Sequence, residues 1–189
     1  MIILITGKAG AGKDTIGDYL RNKYGFKSDS LAAPIKRLVQ DIFVLPKEVV
    51  YDRELRELPL KDPWGGKTVR YFLQKIGTEM FRNQIDPDIW VLSLWLRMKS
   101  EPETNWVITD LRFPNEKDVL VKKWDGEVIT IKVLRPGWNG KTKGGIENHE
   151  SEKYDIPADF VVNNDGSIEK LYTEVDSIIA KCQRNAYER

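Results

Sequence analysis

The first fifteen residues constrain the fold of this chain more than any other stretch. An apolar run over residues 1–5 leads into Gly7, Gly12 and Lys13, which have the spacing G-x-x-x-x-G-K. Glycines at these positions let backbone amides turn inward around a phosphate, and the lysine reaches the terminal phosphates of a nucleotide. A helical pattern follows, so a positive helix end adds to the site. The stretch therefore predicts a strand, a phosphate loop and a helix. The predicted nucleotide-binding residues are Gly7, Lys8, Ala9, Gly10, Ala11, Gly12, Lys13, Asp14 and Thr15.

One position departs from the usual phosphate loop. Asp14 stands where Ser or Thr would place a hydroxyl on magnesium, and the hydroxyl comes one residue later, at Thr15. This G-K-x-T form resembles nucleoside monophosphate kinases such as adenylate kinase. That resemblance implies ATP as a substrate and Mg²⁺ held largely by phosphate oxygens and water, and it assigns no side chain of this chain as a metal ligand.

Composition limits the class of protein. A chain of 189 residues with 41% hydrophobic content is long enough for one well-buried domain and short for two, so we expect a single domain over 1–189. Its 30 basic and 29 acidic residues give a net charge of +1, which does not favour nucleic acid or an anionic membrane as partner. Cys182 is the single cysteine and continues the apolar face of a late helix, so we expect it in the core. With no disulfide and no apolar run of membrane-spanning length, the cytoplasm is the expected compartment.

The rest of the chain alternates strand and helix patterns, which predicts an α/β fold. Short apolar runs over 105–110, 127–134 and 158–163 are typical of buried parallel strands, and residues 26–31 could form a further short strand. Together with residues 1–5 they predict a parallel sheet of about five strands flanked by helices. Ser167 is expected to cap the terminal helix.

Two segments interrupt this alternation. Residues 45–66 are charged and rich in proline, which is typical of a solvated surface excursion or of one wall of a cleft. Residues 135–145 combine glycines and lysines, which is typical of a mobile lid over phosphates or of a plain surface loop. His149, the single histidine, has no metal-ligand spacing around it, and we expect no catalytic role for it.

Thr68 is predicted to cap a helix that runs to Phe81 and carries a polar stripe at four-residue spacing: Arg70, Gln74, Thr78 and Arg82. Such a stripe faces either water or a cleft. A second helix begins near Asp88 and is apolar nearly all round, which predicts central burial.

Asp110 lies at the C-terminal end of the strand over 105–110, the edge at which open α/β sheets bind ligands. Arg112 and Glu116 follow closely, which makes the three residues a candidate site. The alternative is that Asp110 only caps the helix that begins after Pro114.

Several segments together resemble the bacteriophage-type deoxynucleoside monophosphate kinases. They are the phosphate loop, residues 30–36, Gln-x-x-Gly-Thr-Glu over 74–79, the helix at 89–91 and Asp-x-Arg-Phe-Pro-Asn-Glu over 110–116. The resemblance implies a P-loop kinase core (1–31, 104–134 and 158–189), a helical monophosphate-binding region (32–103) and a lid (135–153). It also implies the host cytoplasm as the compartment for a phage-encoded chain.

The same resemblance implies roles for individual residues in transfer of the ATP γ-phosphate to a deoxynucleoside monophosphate. Arg70, Gln74, Thr78 and Trp90 would line the monophosphate pocket, and Asp110, Arg112 and Glu116 would lie between the two nucleotides. Lys13 would hold the donor phosphates, Arg112 would stabilise the phosphoryl group in flight, and Asp110 would orient Arg112 or hydrated Mg²⁺.

Two alternatives remain at this stage. Residues 158–167 also resemble dephospho-coenzyme A kinases, which use another substrate on the same core. The phosphate loop could instead serve a nucleotide-dependent switch or a DNA-packaging protein, although the chain has no long basic arm. The expected partners are therefore small-molecule substrates and not nucleic acid or membrane, and the sequence leaves formation of a homodimer open.

Overall fold

A computed structural model describes residues 1–140, 144–146 and 149–187, with the backbone alone for 185–187. Five parallel strands in these residues form one sheet in the order β2-β3-β1-β4-β5. The strands are β1 Ile2–Thr6, β2 Lys27–Asp29, β3 Trp106–Ile108, β4 Val128–Leu134 and β5 Phe160–Asn163. The predicted parallel α/β sheet is confirmed.

Helices connect the strands and cover both faces of the sheet. They are α1 Lys13–Tyr24, α2 Ala33–Ile42, α3 Lys47–Tyr51, α4 Val69–Gln74, α5 Ile89–Met98, α6 Pro114–Lys123 and α7 Ile168–Tyr187. Short 3₁₀ turns lie at Leu55–Glu57 and Glu150–Glu152. In the part of the chain that the structure describes, no helix is both long and apolar enough to cross a membrane.

The central strand β1 divides the core into two halves because successive side chains of a strand point to opposite faces. Ile2 and Leu4 pack with α2, α4 and α5 on one face of the sheet. Ile3 and Ile5 pack with α1 and α7 on the other, where the buried Cys182 also lies, as predicted. All five residues of β1 are buried, so the loop that follows it stands on a rigid support.

The predicted helix from Thr68 is present, with a change of geometry in its second half. The Thr68 hydroxyl accepts a hydrogen bond from the Tyr71 N–H (3.0 Å) and caps α4 as predicted. After α4 the chain continues as a π-helical segment, Lys75–Arg82, of the kind often found at functional sites. One carbonyl of this segment, that of Gly77, accepts a hydrogen bond from the Trp90 indole (2.7 Å).

The prediction of central burial for the helix at 89–98 was wrong for part of its surface. Trp90, Val91, Leu94 and Met98 are buried, but Leu96 is 51% exposed. The buried positions recur every three or four residues and therefore form one face. The reason is that α5 lies in the layer of helices on one face of the sheet, so only one side of it meets the core.

Candidate active site

The phosphate loop joins β1 to α1, and its glycines are required by its backbone geometry. Gly7 has φ +139°, and a Cβ atom there would lie 2.5 Å from the Val133 carbonyl oxygen. Gly12, just before α1, has φ +107°, and a Cβ atom would lie 2.5 Å from the Asn164 amide nitrogen. Side chains at these positions would be strained and would collide with β4 or with the loop after β5.

Lys13 is 8% exposed and is held by the loop itself. Its Nζ donates hydrogen bonds to the carbonyls of Gly7 (2.7 Å) and Lys8 (2.9 Å). Burial, followed by the nearby charge of Arg112, lowers the pKa of Lys13 from 10.5 to about 8. The ammonium is thus poorly solvated, and the negative charge of a bound phosphate would compensate for the hydration that it has lost.

A cleft lies between this loop and the helices on one face of the sheet. The polar stripe of Arg70, Gln74, Thr78 and Arg82 lines it, so the stripe faces a cleft and not open water. The cleft is also lined by every residue that the resemblance assigned to the monophosphate pocket or to the space between the two nucleotides: Arg70, Gln74, Thr78, Trp90, Asp110, Arg112 and Glu116. Their contacts with nucleotide stay a prediction.

A second cavity lies on the other side of the phosphate loop. It is lined by Gly7, Lys8 and Ala11 of the loop and by Arg135 and Trp138 after β4. Arg112 lines both cavities, whereas Thr15 lines neither. The phosphate loop thus contributes residues to two cavities, which share Arg112.

Asp110 binds the turn that precedes α2. Its carboxylate accepts hydrogen bonds from the N–H groups of Leu31 and Ala32, 3.0 Å each, at the start of α2. The capping alternative for the helix after Pro114 is therefore wrong. The contact ties the end of β3 to the floor of the cleft and holds Asp110 at its edge.

Glu116 performs the capping of α6. Its Oε2 accepts hydrogen bonds from the N–H groups of Arg112 (2.9 Å) and Phe113 (3.0 Å), and its Oε1 lies 3.4 Å from Arg82. Burial raises the pKa of Glu116 to about 7 against these three interactions. Glu116 thereby holds the turn that carries Arg112. These contacts support a role for Glu116 in positioning Arg112, and its contact with nucleotide stays a prediction.

Two acidic residues without a predicted role compensate the arginines of the cleft. Glu152 Oε1 lies 2.8 Å from Arg70 and 2.7 Å from Arg112, and Glu57 lies 3.2 Å from Arg70. A carboxylate between two guanidinium groups occupies the kind of position that a phosphate prefers. Sequence reasoning missed both, since the single signal for them was the charged character of 52–57 and of 150–152.

The segment predicted as a lid contacts both sides of the site. Residues 141–143 and 147–148 lie outside the described residues. At its start, the Trp138 indole donates to the Ala9 carbonyl (2.6 Å) and Arg135 to that of Gly10 (3.2 Å). Further along, the Ile146 N–H donates to the Gln74 side chain (2.6 Å). The segment therefore connects the phosphate loop to the polar stripe.

A metal site built from protein side chains alone is absent from the described residues, in which no group of three acidic, histidine or cysteine residues could hold an ion. Two carboxylates nevertheless line the cleft beside Lys13: Asp110 and Asp14, which accepts a hydrogen bond from the Thr109 hydroxyl (2.9 Å). Oxygen donors of this kind suit Mg²⁺ that keeps water and phosphate ligands.

Comparisons with known proteins agree with this geometry. A family model described as deoxynucleotide monophosphate kinase matches residues 56–175. A protein of Acanthamoeba polyphaga mimivirus, provisionally named deoxynucleotide monophosphate kinase, is 33% identical over 95% of this chain and 96% of its own. Deoxynucleoside-5′-monophosphate kinase of Escherichia phage T5 is 30% identical over 56% of this chain and 43% of its own. A gluconokinase structure from Sinorhizobium meliloti shares the fold at 13% identity, with a TM-score of 0.55 over 98% of this chain and 94% of that one.

Proposed function

Because the chain belongs to the deoxynucleotide monophosphate kinase family, we propose that it transfers the γ-phosphate of ATP to a deoxynucleoside 5′-monophosphate and releases the diphosphate. The observation that carries this proposal is the position of Arg112, which lines both cavities beside the phosphate loop. A group that must stabilise a phosphoryl in transit between two substrates has to reach both of them.

The donor would lie along the phosphate loop. Lys13 would bind its terminal phosphates, and the inward backbone amides of the loop would surround them. The nucleoside of ATP would extend into the second cavity, where the Trp138 ring and the Arg135 guanidinium offer flat surfaces for a base.

The acceptor would lie in the cleft along the polar stripe. Arg70 would hold its phosphate, Gln74 and Thr78 would donate or accept hydrogen bonds, and Trp90 would form a wall for the base or sugar. The acceptor phosphate is already anionic at neutral pH, so no general base is needed. The site accelerates the reaction by aligning two anions and by neutralising the charge that spreads over the transferring oxygens.

Mg²⁺ fits the same arrangement. Asp14 and Asp110 would hold a hydrated ion through their carboxylates, and the ion would supply charge neutralisation between the donor phosphates. Asp110 would also keep its hydrogen bonds to the turn before α2, so it would shape the floor of the cleft as well.

The cleft favours a deoxynucleoside monophosphate over dephospho-coenzyme A. The stripe and Trp90, which line the cleft, would receive a phosphate and a base, whereas dephospho-coenzyme A would need a channel for its pantetheine arm. We also expect deoxyribose to be preferred over ribose, by no more than about a hundredfold, since an apolar wall rejects one hydroxyl weakly.

An activity panel tests the proposal. ADP release from ATP is measured with dGMP, dTMP, dCMP and dAMP, with their ribose counterparts and with dephospho-coenzyme A. Turnover of one or more deoxynucleoside monophosphates, with ADP and the matching diphosphate as products, is the expected result. Activity confined to dephospho-coenzyme A, or ATP hydrolysis without an acceptor, would overturn it.

Three broader expectations accompany this function. We propose that the core, the helical region over 32–103 and the lid over 135–153 divide the work between donor, acceptor and closure. We further propose that small-molecule substrates, and not nucleic acid, are the partners, as the net charge of +1 favours. Whether two copies associate is measured by the mass of the protein in solution.

A further inference from the structure

Arg56 is an arginine of the acceptor cleft to which no sequence motif pointed. It lies in the 3₁₀ turn Leu55–Glu57, inside the charged segment over 45–66. Its side chain lines the cleft together with Arg70 and Arg112. The segment thus contributes to one wall of the cleft. Its composition allowed this interpretation beside that of a solvated surface excursion.

The surroundings of Arg56 are strongly cationic. Burial, followed by the charges of the neighbouring Arg70, Arg112 and Arg53, lowers the pKa of Arg56, and Glu57 opposes this only in part. Proteins rarely bring guanidinium groups together in a poorly solvated place unless an anion binds between them.

The carboxylates near these arginines are already engaged. Glu57 pairs with Arg70, and Glu152 pairs with both Arg70 and Arg112. Among the described residues, the Arg56 side chain has no ion pair or hydrogen bond, and its Nε is buried without a partner. The main-chain N–H of Arg56 donates to the Asp52 carbonyl (3.3 Å). The Nε of Arg70 is buried and without a partner there too. Two arginines that line the cleft therefore have an Nε–H donor with no acceptor in the described part of the chain.

We propose that Arg56 binds the phosphate of the acceptor nucleotide, side by side with Arg70. This inference rests on the proposed function and adds a residue to it. A dianionic phosphate offers several strong acceptor oxygens, enough for both guanidinium groups and for Arg112 during transfer.

The acceptor phosphate, and not the donor, is the ligand that this geometry favours. The cationic neighbours of Arg56 include Arg70 of the polar stripe, whereas Arg53 is the residue of the same segment that reaches the phosphate loop. A Cβ atom on Gly10 would lie 2.8 Å from Arg53 Nη2. Arg53 is thus adjacent to the donor side and Arg56 to the acceptor side.

The test compares Arg56→Gln and Arg56→Lys with Arg37→Gln, a matched control. Arg37 is exposed on α2 and does not line the cleft. Calorimetric titration without ATP measures the affinity for the best acceptor of the panel and for the corresponding deoxynucleoside, which lacks the phosphate. Steady-state kinetics then give kcat and the KM values for acceptor and ATP.

Arg56→Gln should weaken monophosphate binding by roughly 10- to 100-fold, the range for lost hydrogen bonds to a charged group. The affinity of Arg56→Gln for the deoxynucleoside and its KM for ATP should stay unchanged. The Arg37→Gln variant should bind the monophosphate as the wild-type protein does. Arg56→Lys should recover part of the loss, since a lysine restores the charge without the planar fork.

Three results would overturn the inference. Equal losses for monophosphate and deoxynucleoside would make Arg56 a structural residue of the wall. A change confined to the KM for ATP would place it on the donor. Unchanged binding of both ligands would remove it from the site. Failure of the proposed function is distinguishable, because the wild-type protein would then turn over no deoxynucleoside monophosphate.

Discussion

Raising the pH should weaken ATP binding through the loss of one proton from Lys13. With its pKa lowered to about 8 by burial and by Arg112, Lys13 in the free protein is protonated to about nine tenths at about pH 7 and to about one tenth at about pH 9. The charged form alone can bind the terminal phosphates. The dissociation constant for ATP should therefore rise about tenfold across this range.

The assay is calorimetric titration of the protein with ATP at constant free Mg²⁺, repeated at several pH values. Asp14, Glu152 and Arg53 also act on the Lys13 ammonium. Glu116, whose pKa burial raises to about 7, also loses its proton near the lower end of this range. Lys13→Arg is the control, because a guanidinium stays charged throughout, so its ATP affinity should be lower and should keep only the pH dependence that Glu116 contributes. A wild-type dissociation constant that stayed flat up to about pH 9 would refute the reasoning.

The lowered pKa of Lys13 also makes the stability of the folded protein depend on pH. The folded state disfavours the protonated lysine relative to the unfolded chain, so the unfolded chain binds more protons between about pH 8 and 10.5, and stability should rise with pH in that window. Below that window the buried charge of Lys13 lowers the free energy of unfolding by at most about 3 kcal/mol. The two hydrogen bonds from Nζ to carbonyl groups reduce this loss. Lys13→Met should thus raise the melting temperature near neutral pH while removing phosphoryl transfer, and a lower melting temperature would contradict this account.

The remaining predictions concern the arginines, their acidic partner and the lid. Arg112→Ala should lower kcat by roughly two orders of magnitude or more, whereas Arg70→Ala should mainly raise the KM for the acceptor, and steady-state kinetics separate the two. A change in the KM for ATP alone on loss of Arg112 would exclude its transition-state role. Glu152→Gln should lower the KM for the acceptor several-fold, since the carboxylate competes with phosphate for both arginines, and a raised KM would show that it serves only to orient them. Hydrogen exchange at the amides of Trp138 and Ile146 should slow on saturation with a bisubstrate analogue; unchanged exchange would make the segment an ordinary loop.

Much of the fold could be predicted from the sequence, because it depends on local periodicity. The phosphate loop needs glycine at Gly7 and Gly12 for reasons of backbone geometry, which makes its spacing readable without a structure. The four-residue recurrence of Arg70, Gln74 and Thr78 likewise predicts one helix face, whatever that face meets.

The tertiary structure decided what those faces meet and which charges pair. Asp110 accepts a hydrogen bond from the Leu31 N–H, just before α2 and 79 residues earlier in the chain, and Glu152 pairs with Arg70 across 82 residues. No local pattern encodes such contacts, since they depend on how the strands are ordered in the sheet. Leu96 is exposed although its helix is apolar nearly all round. Packing against the rest of the fold, and not the sequence of the helix, determines which side is covered. The sequence alone thus determined the chemistry of the phosphate loop, whereas the surroundings of Arg56 emerged only when distant segments met across the cleft.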